Sequence, residues 1–345
     1  MKRNRSTTSI TLVVVLGLAC TGCEIAYAPD HAYTWLALGD SFSSGEGMPD
    51  AFDQPGVHRC QRSPSAYPRA AAMLVQSAPP IGVQFLACTG AIVSGEIAGV
   101  TADTRDKTSD AQLAELRPGE VFDVISLTFG GNNLGFRDII TGCLTNLGGD
   151  YLNSYLLDGE LGLLVINNRP GFCTIDERAM QRKIGELESL LRDLYERLAT
   201  EHLKPGGRLY VLGYPHLFAP PEDWPGDAKW FTCSGVKQTD AKQIRELTVQ
   251  LNHATAAAAD TANDTAEPRG VRVIWLPVDK LFANHELCGP EPRWINSWPT
   301  VDLEFRGTDL LAYMSGSFHP NEKGHAAEAA LLVAQVRSDL MIDSQ

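Results

Sequence analysis

The chain predicts a three-layer α/β/α sandwich built on a mostly parallel, five-stranded sheet, and three observations carry that reading. Short, nearly continuous apolar runs recur along it, as strands buried on both faces require. They alternate with segments of helical periodicity, the pattern of a parallel sheet held between two helical layers by right-handed crossovers. Several runs end in loops rich in glycine, serine or asparagine, at the carboxyl ends where such sheets carry their sites. With 345 residues of which 44% are hydrophobic, one large domain over residues 29–345 fits better than two small ones.

The first run, Tyr33 to Leu38, delivers Gly39-Asp40-Ser41-Phe42-Ser43-Ser44-Gly45-Glu46-Gly47, where a strand would present a nucleophile. Met48 to Ser65, rich in Pro, Gly, Asp and Arg, reads as a surface loop. Ala66 to Gln76 has helical spacing and stops at Pro79-Pro80. Val83 to Cys88 is the second strand and ends at Thr89-Gly90-Ala91. A short helix over Asp110 to Leu116 closes at Pro118-Gly119. Phe122 to Phe129 is the third strand and runs straight into Gly130-Gly131-Asn132-Asn133.

From Thr141 to Cys173 the sequence turns loop-like, with an apolar patch at Leu161 to Ile166. Ile175 to His202 predicts a long helix through Leu187, Leu190, Leu191, Leu194 and Leu198, ended by Gly206-Gly207. Leu209 to Leu212 is the fourth strand, Lys237 to Asn263 a helix and Val271 to Leu276 the fifth strand. Val278 to Ser317 reads as irregular, and Asn321 to Leu340 as a closing helix.

Residues 1–28 read as an export signal, with Lys2, Arg3 and Arg5 ahead of an apolar core from Ile10 to Ala19. That core is too short for a membrane span. Thr21-Gly22-Cys23 resembles a lipoprotein box, which makes Cys23 a candidate for lipidation and for a membrane tether. Ala26-Tyr27-Ala28 offers a competing cleavage site, although Pro29 follows it. Setting aside Cys20 and Cys23 leaves Cys60, Cys88, Cys143, Cys173, Cys233 and Cys288. In an exported protein six cysteines suggest three disulfides, among fifteen connectivities. A net charge of -13 repels a phosphate backbone and argues against nucleic-acid partners.

Singly, Ser41 after Gly-Asp is a turn residue, Gly90 a tight bend, Asn132 a cap and His319 a loop residue before Pro320. Jointly, and in this order relative to the strands, they assemble a nucleophile, a base and oxyanion donors. On these residues the chain resembles the SGNH (GDSL) hydrolase family, in its branch of secreted bacterial esterases and lipases. Ala66-Tyr67-Pro68, Gly130 to Phe136 and Leu212-Gly213-Tyr214-Pro215 extend the likeness over most of the mature chain.

The resemblance implies hydrolysis of carboxylic esters without metal or organic cofactor; together with the export signal, the expectation is a monomeric extracytoplasmic enzyme, secreted or anchored to the outer face of the cell membrane. Ser41 would be the nucleophile and His319 the base, with Ser41, Gly90 and Asn132 lining the oxyanion hole. It also implies disulfides between neighbours in order, Cys60 with Cys88, Cys143 with Cys173 and Cys233 with Cys288. Two positions depart from the family pattern. Asn133 stands where Asp is commoner, and Gly316 stands three residues before His319, where an acid is usual. The expectation is therefore a Ser-His dyad whose imidazole is oriented by the Gly316 backbone carbonyl; the alternative is an acid, Asp309 or Glu304, reaching in from the preceding loop. Trp224, Trp230, Trp294 and Trp298 leave open a carbohydrate O-acetyl esterase, through stacking on sugar rings. The missing acid leaves open an inactive surface-binding module of the same fold.

Overall fold

Five apolar runs become strands: β1 Thr34–Ala37, β2 Gly82–Phe85, β3 Phe122–Leu127, β4 Leu203–Leu212 and β5 Arg272–Leu276. All pair in parallel, in the order β2-β1-β3-β4-β5. The computed structural model describes residues 33–51, 60–75, 81–95, 107–145, 176–225, 233, 236–297 and 316–340. Residues 1–28, expected to be an export signal, with Cys23, the patch at Leu161 to Ile166, Cys173, Trp230, Trp298, Glu304 and Asp309 lie outside them.

Every residue of β3 is buried, which explains why its sequence shows no polar alternation. The two faces of the sheet meet different helices. Leu36, Ile125, Leu209 and Val273 pack beneath α6 (Glu177–Arg197) and α7 (Gln238–Ala266), through Leu187, Leu191, Leu247 and Leu251. Trp35, Val124 and Tyr210 pack beneath α2 (Tyr67–Leu74) and α9 (Glu322–Asp339), through Ala71, Leu332 and Val336. Leu187 and Leu191 are wholly buried, so truncating either to Ala costs ~2–5 kcal/mol. Asn321 caps α9 by accepting the Lys323 and Gly324 N–H groups, and this cap starts the helix two residues after His319.

Three expectations change. Gly206-Gly207 does not end the long helix but lies within β4. The helix instead runs through a wide turn, Leu198–His202, into the strand. The carbonyls of that turn are met by Arg269, which donates to Ala199 at 2.7 Å and to Thr200 at 2.5 Å, and also to Leu203 at the start of β4 at 2.9 Å. A side-chain cation thus does the work a glycine cap performs elsewhere. The loop expected from Thr141 opens as the end of α5 (Phe136–Thr145), and Val278–Leu281 forms the single turn α8.

Parallel pairing carries all five carboxyl ends to one edge. Leu36 is level with Ile125, and Ile125 with Leu209, so the segments after β1, β3 and β4 emerge side by side.

Candidate active site

Four residues beyond β1, Ser41 opens a one-turn helix, α1 (Ser41–Ser44), whose cap is Asp40 accepting the Phe42 N–H at 3.1 Å. As the first residue of that helix, Ser41 has an N–H that α1 itself does not bond. Gly39 precedes it at φ 125°, and a Cβ there would stand 2.7 Å from the Thr128 carbonyl; only glycine fits. Its peptide is gripped by Gln112 of α3 (Ser109–Leu113), whose amide accepts from Gly39 N–H at 2.9 Å and donates to Gly39 C=O at 2.8 Å.

His319 Nε2 lies 2.8 Å from Ser41 Oγ. On the other side of the ring, Nδ1 meets the Ser317 backbone carbonyl at 3.0 Å. The carbonyl is therefore that of Ser317 and not of Gly316. The Gly316 carbonyl is turned to the His319 N–H at 3.4 Å and to Asn296 Nδ2 at 3.3 Å. The reason is a tight turn in which Phe318 adopts φ 64°, which brings the carbonyl two residues back beneath the imidazole. A left-handed Phe is strained, and Asn296 braces it by bonding both Phe318 N–H and the His319 carbonyl through its own backbone. Asn296 Nδ2 also donates to Gly47 at 3.1 Å, tying the histidine loop to the serine loop. A donor to a neutral carbonyl fixes which ring nitrogen carries the proton, leaving Nε2 free to accept from Ser41.

Gly90 follows β2 at φ 75°, and a Cβ there would meet only Lys107 Cδ at 4.0 Å, so glycine serves conformation there. Cys88, two residues earlier, is bonded to Cys60. Asn132 sits in α4 (Gly131–Leu134), half-buried, and donates to the Ala91 carbonyl at 3.0 Å. One amide hydrogen thus holds the side chain beside the Gly90 loop and the other is spare. Asn133 pairs fully with Val93, accepting its N–H at 3.0 Å and donating to its carbonyl at 3.1 Å. An aspartate could not donate, which accounts for the amide at this position.

Behind these loops lies a buried network. Asp40 takes the Tyr214 hydroxyl at 2.5 Å and the Thr128 hydroxyl at 2.8 Å, and Tyr214 accepts the Gly131 N–H at 3.1 Å. Burial pushes the Asp40 carboxyl up to about 6, against the pull of these donors and of His319. Burial and the neighbouring Asp40 push the Tyr214 hydroxyl well above its ordinary range. Tyr214, Gln112, Asn296 and the Ser317 carbonyl carried no sequence signal of their role. Tyr214 was visible only as part of Tyr214-Pro215 after a strand.

Other polar, aromatic and cysteine residues lie elsewhere. His216 lines two clefts with Arg245 that neither Ser41 nor His319 borders, and burial lowers its imidazole to about 4. Trp224 is 3% exposed and bonds the Ala219 carbonyl. Trp294 stacks on His285 with ring centres 3.7 Å apart. Cys233 is bonded to Cys288, and Cys143 is disulfide-bonded too. Among the described residues no cluster of His, Cys, Asp or Glu is placed to hold a metal ion.

Residues 37–327 match the model of the GDSL-like Lipase/Acylhydrolase family, and the chain belongs to that family. It is a lipase/esterase by class, a carboxylic-ester hydrolase. Among curated proteins it is 26% identical to Lipase 1 of Streptomyces coelicolor over 92% of this chain and 96% of that one. Among solved structures, an extracellular lipase from Streptomyces rimosus superposes with a TM-score of 0.52 at 24% identity, covering 88% of this chain and 99% of that chain. A phospholipase A1 from Streptomyces albidoflavus gives 0.56 at 22%, with the same coverage. These likenesses agree with the five-stranded parallel sheet and its two helical layers.

Proposed function

We propose that this chain is an exported serine esterase of lipid acyl esters, working through a Ser41–His319 dyad. The observation that carries it is the pair of contacts on one imidazole, Nε2 to Ser41 Oγ at 2.8 Å and Nδ1 to the Ser317 carbonyl at 3.0 Å.

In this reading Ser41 Oγ attacks the ester carbonyl carbon as its proton passes to His319 Nε2. The oxyanion is received by the N–H groups of Ser41 and Gly90 and by the spare Asn132 amide hydrogen. Collapse expels the alcohol, which takes the proton from Nε2 and leaves an acyl-Ser41. Water then repeats the sequence and frees the acid. The Ser317 carbonyl holds the ring in the reactive tautomer but adds no full charge.

Lipid esters are favoured over acetylated sugars because two tryptophans are already committed, Trp224 to the core and Trp294 to His285. The lipases and phospholipase among its relatives point the same way. Disulfides at Cys60–Cys88 and Cys233–Cys288 support an oxidising compartment, in keeping with an export signal over residues 1–28 and a tether at Cys23. The test is turnover of nitrophenyl esters of rising acyl length. Wild type should cleave medium and long chains, and Ser41→Ala none. Cleavage of acetyl esters alone would transfer the reading to a carbohydrate O-acetyl esterase.

A further inference from the structure

A neutral carbonyl on Nδ1 leaves the developing imidazolium without the negative charge that a triad acid supplies. A carboxylate stands on the opposite edge of the ring. Glu46 Oε2 is 3.6 Å from His319 Nε2, and the Glu46 residue is 7% exposed. Its backbone is fixed by the N–H bond to the Ser41 carbonyl at 3.2 Å. The same Oε2 accepts the Thr89 hydroxyl, so the carboxylate is anchored between the histidine and the residue that precedes Gly90. Among the described residues, the other acid near this ring is Asp40, which lies behind the serine turn and is engaged by Tyr214, Thr128 and the Phe42 N–H.

We propose that Glu46 is a positioning residue that supplies, from the Nε2 edge, the charge missing on the Nδ1 edge. It steadies His319 in the protonated state that forms while Ser41 Oγ is bonding to the acyl carbon. It does not take the proton, which passes on to the leaving alcohol. At this separation, in a site shielded from water, a unit charge acts strongly on its neighbour. This inference rests on the dyad reading above.

Glu46→Gln removes the charge and keeps an acceptor for Thr89; Thr89→Val removes the brace and keeps the charge. The measurement is the rate at which a fluorophosphonate labels Ser41, a step in which Oγ bonds phosphorus, fluoride leaves and the serine proton goes to Nε2. Glu46→Gln should slow labelling by about tenfold or more, with a smaller loss in Thr89→Val. On a short nitrophenyl ester the Gln variant should lose kcat while KM stays within about twofold. Labelling of Glu46→Gln at the wild-type rate, or equal losses in both variants, would overturn the role for Glu46. Absence of labelling in wild type would instead overturn the dyad itself, and this role with it.

Discussion

Tyr214 and Asp40 stand 174 positions apart in the chain and share one buried hydrogen bond of 2.5 Å. Because Tyr214 also receives the Gly131 N–H, its hydroxyl holds the cap of the serine turn in register with the turn that carries Asn132. Ser41 and Asn132, the proposed nucleophile and oxyanion donor, sit on separate loops after separate strands, so their spacing depends on such a tie.

Replacing Tyr214 with Phe leaves Asp40 Oδ2 without this donor and the Gly131 N–H without its acceptor. Loss of a bond to an ionisable group costs ~1.5–3 kcal/mol. The melting temperature should fall, and kcat should drop by about tenfold with KM little changed, as misplacement of the reacting groups predicts. Thermal unfolding and steady-state kinetics check both. A variant as stable and as fast as wild type would remove the tie from the account.

Asp40 should make stability depend on pH. Its folded carboxyl is raised to about 6 from 3.8, chiefly by burial. Below about pH 4 it is protonated in both states and costs nothing. Between pH 4 and 6 the unfolded chain has released the proton and the folded chain retains it, so stability falls as pH rises, by about 3 kcal/mol in all. Asp40→Asn keeps a capping oxygen and cannot ionise. Urea midpoints of the two proteins should diverge in favour of the Asn variant between pH 4 and 6.5, whereas a constant gap would contradict the assignment.

Asn133→Asp exchanges an amide that bonds both polar groups of Val93 for a buried carboxylate facing a carbonyl. The expected cost is ~1–3 kcal/mol for the unmatched groups, with slower hydrolysis because Val93 lies in the segment after Gly90. Denaturant titration measures the first and kcat the second.

Asn132→Ala should leave a folded but damaged enzyme. Losing one oxyanion donor lowers turnover by ~10²–10³. Hydrolysis of a nitrophenyl ester gives the number, and an unchanged rate would exclude Asn132 from the oxyanion hole.

The parts of this protein legible in its sequence are those that local chemistry dictates. Apolar runs announced all five strands, the leucine spacing announced α6, and glycine and asparagine loops directly after strands announced where Ser41, Gly90 and Asn132 emerge. Long-range choices were not legible. That Arg269 would hold the turn after α6, with Gly206-Gly207 lying in β4, depends on side chains brought together by the fold. Likewise, which carbonyl reaches His319 is decided by the left-handed turn at Phe318, a conformation that a phenylalanine does not advertise. Gln112, Asn296 and Tyr214 are ordinary residues in sequence and acquire their work only from what lies across from them.

The most direct test of the Ser41–His319 pair is peptide mass mapping of the oxidised protein after exposure to a fluorophosphonate. A single adduct on the peptide containing Ser41, lost in His319→Ala while the fold persists, is the predicted result. Adduct formation undiminished in His319→Ala, or no adduct at Ser41 in folded wild type, would contradict the account.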